Sequence, residues 1–155
     1  MLLIGSLRPL VLDGPKVAAR YARPDTAAAL TEVGIESPAA LLATWITDRR
    51  GLESYAGDAA PVTDDRPAIE HAAWVRRGEF ERVLPRVLSV ATEVPLASGD
   101  PLRDAVEAER RELLDFYRFA LHVNAREPEL ASSLLRTVLG RDPANPYYLW
   151  MIGKG

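Results

Sequence analysis

Thr63-Asp64-Asp65-Arg66-Pro67-Ala68-Ile69-Glu70 divides this sequence into two textures. Two adjacent carboxylates, a guanidinium and a proline that fixes its own φ share one short connector between helical patterns. The residues before the connector read as the closing part of an α/β domain, with short apolar runs set among short helices. The residues after it read as helices alone. The expected fold class is therefore mainly α with a small β element.

Upstream of the connector, Met1 to Ser6 is a short apolar run stopped by Gly5-Ser6, the form of a strand buried on both faces. Leu10-Val11-Leu12 is a second short strand, closed by Asp13-Gly14. A lone strand leaves its backbone donors and acceptors without partners. Either the two pair together, or the chain begins inside a sheet whose other strands lie upstream. Short helices come next. Pro15 pre-sets one running to about Ala22, and Pro24 opens another that Gly34 stops. Ser37 as N-cap and Pro38 at the first helical position start a third. Its Leu41, Leu42, Trp45 and Ile46 recur at helical spacing, which makes Trp45 a core anchor. Asp48-Arg49-Arg50-Gly51 breaks the pattern and leaves Leu52 to Ala56 as one further turn.

Downstream, Ala68 to His71 reads as a short extended segment leading away from Pro67. Trp74 to about Ala91 is helical in composition, but Gly78 and Pro85 interrupt it, so a break or kink is expected near Arg82 to Pro85. Pro95 to Pro101, with Ser98-Gly99-Asp100, reads as a linker and divides the chain into parts 1–94 and 95–155. Past it, Asp100 caps and Pro101 starts a long helix to about Val123. Leu102, Ala105, Val106, Leu113, Phe116, Tyr117, Ala120 and Val123 fall near one face, and Glu107, Arg110, Arg111 and Asp115 fill the solvated side. A second helix from about Glu127 to Leu139 carries the stripe Leu130, Ala131, Leu134, Leu135, Val138 and Leu139, with Gly140 as its C-cap. Asp142-Pro143-Ala144-Asn145-Pro146-Tyr147 then leads into a short helix with Tyr148, Trp150 and Met151.

Composition sets outer bounds on function. The chain has 155 residues and a formal charge of -3, and nearly half of it is apolar, which is enough for a packed core. The acid excess argues against nucleic acid as a partner, which needs a clustered basic face. The absence of cysteine removes disulfides, thiolate catalysis and thiolate metal sites. No apolar run approaches the ~20 residues that span a bilayer. No membrane segment is expected within the chain, and the expected location is cytoplasmic.

Asp64 and Asp65 are the most site-like pair. Two ionised carboxylates side by side are favourable only near a cation, a cluster of backbone donors or water. Equally, Asp64 or Thr63 can cap a turn while Arg66 pairs with an acid of the fold, and Glu70 shares both readings. His71 and His122 stand far apart with no metal-ligand spacing, so no metal site is expected. Ser6, Ser37 and Ser54 lack a nucleophile-elbow context, and no catalytic residue is assigned. Tyr147, Tyr148 and Trp150 are either core or a peptide-binding face.

The order Leu2-Leu3-Ile4-Gly5-Ser6, then Gly34-Ile35-Glu36-Ser37-Pro38, then Thr63-Asp64-Asp65-Arg66-Pro67 with Glu70 carries a resemblance. It is similar to the C-terminal end of spermidine-synthase-like proteins, the bacterial and often membrane-fused relatives of the polyamine aminopropyltransferases. The likeness covers roughly residues 1 to 75. It implies the end of a Rossmann-like α/β domain followed by a helical cap. It also implies aminopropyl transfer from decarboxylated S-adenosylmethionine to a diamine, and possible attachment to a membrane domain in longer relatives. Asp64, Asp65, Arg66 and Glu70 become polyamine-binding or structural-turn residues. The tail pattern of helix, Gly140, Asp142-Pro143-x-Asn145-Pro146 and aromatic helix resembles a tetratricopeptide-type hairpin. About three such repeats are usually needed to bury their faces, so the tail is expected to dock on the first part or to begin an array. The family holds its cofactor at a glycine-rich turn after a strand, and this sequence has no G-x-G turn in that setting. No cofactor is therefore assigned to this chain, and it is expected to be inactive alone. A helical module that binds a protein partner or an upstream domain is the alternative.

Overall fold

A computed structural model of the protein describes residues 9–59, 79–145, 149 and 153. Asp13 opens the first helix, α1 (Gly14–Tyr21), by accepting a hydrogen bond from the Lys16 amide. α2 (Pro24–Glu32) comes after a two-residue turn and ends before Gly34, whose φ of 80° only glycine adopts freely. Ser37 caps α3 (Pro38–Ala43) through the Ala40 amide at 2.9 Å, as the Ser-Pro pair requires. The buried Tyr21 hydroxyl reaches the Ile35 carbonyl at 2.9 Å and ties α1 to the start of α3.

Two expectations for the middle of the chain need correction. Asp48-Arg49-Arg50-Gly51 is not a break. Asp48 is an N-cap whose carboxylate accepts from the Gly51 amide at 3.0 Å, so α4 (Arg49–Ala56) begins three residues earlier than Leu52. The helix α5 (Glu79–Ser89) runs through Pro85, so of the expected break or kink the break does not occur. The carbonyl that loses its partner there belongs to the exposed Glu81, where water can satisfy it.

The segment at 94–100, punctuated like a linker, is packed into the core. Val94, Leu96 and Asp100 are all buried. Leu12 pairs with Leu96 in a parallel bridge, its amide donating to Pro95 at 2.7 Å and its carbonyl accepting from Ala97 at 3.0 Å. Asp100 does more than cap one helix. Its carboxylate accepts from the Gly14 amide at 2.7 Å and the Leu102 amide at 3.0 Å, joining the start of α1 to the turn before α6 (Arg103–Asn124). Pro101 and Leu102 thus belong to that turn and not to the helix.

α6 is the spine. α3 packs on its first half, and α7 (Pro128–Arg141) lies along its second half. The core at the α3 end consists of Ala39, Leu42, Val94, Leu96 and Val106, with Leu12, Val17, Trp45 and Leu102 packed around it. Trp45 packs against this core as expected, but the helix expected to carry it and Ile46 ends at Ala43, so it does so from the extended segment that follows. Along the hairpin, Phe119 and Ala120 of α6 and Ala131 and Val138 of α7 are buried. The predicted stripes are only partly right. Leu130 is 52% exposed and Val123 44% exposed, because both flank the turn where the helices part. Leu134, Leu135 and Leu139 are half-buried and Ala105 faces solvent. Gly140 is helical rather than a cap, since Arg141 pairs with Asp115 of α6 at 2.9 Å and holds the last turn in place.

Among the described residues the chain is mainly helical, with seven helices and a single β-bridge. The strand expected at Met1 to Ser6, the extended segment at Ala68 to His71 and the aromatic helix with Tyr148, Trp150 and Met151 lie outside the described residues. No helix among the described residues is long and apolar enough to cross a membrane.

Two glycines make opposite predictions. A Cβ on Gly51 would stand 1.8 Å from the Thr47 hydroxyl oxygen and 2.6 Å from the Val90 carbonyl. Gly51→Ala is expected to cost ~1–3 kcal/mol through this overpacking. A Cβ on Gly140 meets nothing within 4 Å, so Gly140→Ala is expected to gain up to ~1 kcal/mol by helix propensity. Thermal melts of the two variants should move in opposite directions.

Candidate functional site

Asp64, Asp65, Arg66 and Glu70 lie at 60–78, outside the described residues, and His71 lies there too. The structure defines how the chain leaves for that connector and returns from it. The outgoing stem is 45–48, just before α4, and the returning stem is 90–92, just after α5. Thr47 donates its hydroxyl to the Val90 carbonyl, and the Thr92 amide donates to Ile46 at 3.0 Å. The Thr92 hydroxyl accepts from Trp45 Nε1 at 3.2 Å and from the Asp48 amide at 3.1 Å. Further out, the Arg86 guanidinium of α5 lies 5.1 Å from the ring centroid of Tyr55 on α4.

Arg110 of α6 closes this arrangement. Its guanidinium donates to the carbonyls of Trp45, of Ile46 at 3.4 Å and of Thr92 at 2.7 Å, touching both stems at once. Burial lowers the pKa of Arg110 by desolvating the cation. Two turns earlier, Arg103 makes a similar clamp on the carbonyls of Leu96 at 3.2 Å and Ala97 at 3.1 Å. Arginine suits such work because its planar fork reaches several acceptors while keeping its charge.

Between the two clamps lies a cleft of about 370 Å³ against the extended segment 91–96. Its floor is Val94, Leu96, Val106 and Leu114, and its polar groups are Thr92, Glu93, Arg103, Glu107 and Arg110. The volume suits a small molecule. Its formal charges balance, with two guanidiniums against two carboxylates, and both arginines are engaged with main-chain carbonyls. The cleft therefore selects no sign of charge.

Two charged pairs, Asp115 with Arg141 and His122 with Glu127, span the α6–α7 hairpin. Asp115 pairs with Arg118 and Arg141, both at 2.9 Å, and His122 Nδ1 lies 2.6 Å from Glu127 across the turn. Ser37 links the cap of α3 to Glu109 of α6 at 3.3 Å.

The sequence pattern puts Arg110 on a solvated face, and its role as a clamp is a correction to that reading. A cue exists, for Arg103, Val106, Glu107, Arg110 and Leu114 share one helical stripe, and Val106 is 1% exposed. Charge pattern alone hides it, because Arg110-Arg111 reads as an ordinary basic pair beside acids. No family model, curated protein or solved structure matches this chain.

Proposed function

We propose that this chain is the C-terminal portion of a spermidine-synthase-like protein, comprising the end of a Rossmann-like domain with its helical cap and a helical tail. In this reading Asp64 and Asp65 attract the polyamine, and the α6–α7 hairpin contacts a partner or a neighbouring domain. The ordered set of sequence words at residues 2–6, 34–38 and 63–70 carries the reading. The described residues hold one isolated bridge, Leu12 with Leu96, and no sheet, so the reading rests on those sequence words alone. The reaction implied is aminopropyl transfer from decarboxylated S-adenosylmethionine to a diamine. Holding donor and acceptor in line can supply ~7–11 kcal/mol of such a barrier, which takes a donor pocket as well as acids.

The expected result is weak binding of spermidine and putrescine to the chain, with no turnover by the chain alone. Binding should weaken as salt rises, since exposed carboxylates attract the amine through a screened field. Titration calorimetry beside a turnover assay tests both halves. Binding unchanged in the Asp64→Asn, Asp65→Asn double variant would return the pair to a structural turn. Measurable transfer by the wild-type chain would overturn the view of it as a non-catalytic portion.

A helical interaction module is the second reading. Val123 and Leu130, both large, apolar and exposed beside the hairpin turn, favour it. A chain that binds no polyamine, yet loses a protein contact in Val123→Ser with Leu130→Ser, would support this reading over the first.

A further inference from the structure

We propose that the cleft between the Arg103 and Arg110 clamps binds a short uncharged peptide segment through a branched aliphatic side chain and its backbone amide. The proposal is independent of polyamine binding at Asp64 and Asp65 and of the exposed residues beside the hairpin turn. The cleft lies against the extended segment 91–96, and the two arginines hold that segment from its two ends. Arg110 donates to the Thr92 carbonyl at 2.7 Å, and Arg103 donates to the carbonyls of Leu96 at 3.2 Å and Ala97 at 3.1 Å. The Thr92 amide donates to Ile46 at 3.0 Å, and the Leu96 amide to Val94 at 2.7 Å. Between these anchors, the Glu93 amide, the Glu93 carbonyl and the Val94 amide have no hydrogen-bond partner among the described residues.

Val94 carries the argument. It is 7% exposed and lines the cleft, so its amide is a donor in a sheltered place with no acceptor. Such a group is costly unless something that enters the cleft accepts from it. Glu93 is exposed, and water can serve its backbone when the cleft is empty. The floor formed by Val94, Leu96, Val106 and Leu114 is aliphatic and favours an aliphatic group above it. Two guanidiniums against two carboxylates leave no net attraction for either sign of charge, which favours an uncharged ligand. An amide bearing a branched alkyl group meets all three conditions. A peptide also offers a donor to the Glu93 carbonyl, the way extended chains add to a free stretch of backbone.

Titration of the full chain with N-acetyl-leucine N-methylamide, followed by amide NMR, tests this. The amide protons of Glu93 and Val94 should move downfield together, with a dissociation constant on the order of 1 mM for a probe of this size. Those of Val17 and Ala131, away from the cleft, should stay in place. Leu114→Trp fills the cleft and should abolish the shifts at Glu93 and Val94. N-acetyl-leucine, which replaces the second amide by a carboxylate, should bind no more tightly than the uncharged probe. Wild-type protein with no shift at Glu93 and Val94 at about ten times the expected dissociation constant would overturn the proposal, whether or not the Leu114 variant folds. Shifts that persist in a folded Leu114→Trp chain would put the peptide elsewhere and overturn it too. Tighter binding of the carboxylate by roughly 10-fold or more would make the cleft an anion site and overturn the assignment to an uncharged ligand.

Discussion

Phe119→Ala should lower the unfolding free energy by ~3–5 kcal/mol, the range for truncating a buried aromatic side chain. Phe119 is 3% exposed, and its ring lies 6.2 Å from that of Phe116 where α6 meets α7. The cavity would open in the hairpin seam, where Ala120, Ala131 and Val138 are also buried and leave little freedom to collapse. Against a total of ~5–15 kcal/mol for a typical domain, this loss is large. Leu130→Ala, by contrast, should cost under ~0.5 kcal/mol, because the side chain is half in water already. Urea melts of the two variants decide the matter. Similar midpoints would mean that the seam is not where the hairpin's stability resides.

Asp100→Ala should cost ~2–4 kcal/mol, from loss of charge-assisted hydrogen bonds to two backbone amides. Asp100 is 8% exposed, and its two oxygens serve Gly14 and Leu102, residues far apart in sequence that begin two different structural units. Without it the buried Gly14 amide has no acceptor in place. Asp100→Asn keeps the shape and one good acceptor, since its amide nitrogen cannot accept from a backbone N–H, and should cost less than alanine. With Asp100 in place Gly14 cannot become alanine without a shift, because a Cβ there would stand 2.3 Å from the Asp100 carboxylate. Denaturant unfolding of the two Asp100 variants checks the order. Alanine and asparagine variants equal to wild type would show that the link between α1 and α6 carries no stability.

Some helix starts that depend on neighbours in sequence were legible from the residues, although the equally local cap of α4 by Asp48 reads as a break. Asp13 before Pro15, and Ser37 with Pro38, supply caps whose partners lie within three residues, so no distant chain is needed to make them. The long α6 and its partner α7 were also readable, because amphipathic spacing over several turns requires a second surface. Trp45 does pack against the core, but from the extended segment after α3 rather than from the helical position its spacing suggests.

The sequence could not say which of several apolar residues would be covered. Leu130 and Ala131 are adjacent in one stripe, yet only Ala131 is buried, because the crossing of α7 over α6 decides which side is shut. Polar punctuation misled for a related reason. Ser98-Gly99-Asp100 looks like a linker locally, but Asp100 finds Gly14 86 residues away and becomes part of the core. Arg110 likewise looks solvated until the stems at 45–46 and 92 bring their carbonyls to it. Local capping and periodicity are properties of short segments, so the amino-acid sequence determined them by itself. Partners distant in sequence meet only when the backbone packs, and that packing alone made Asp100 a joint and Arg110 a clamp.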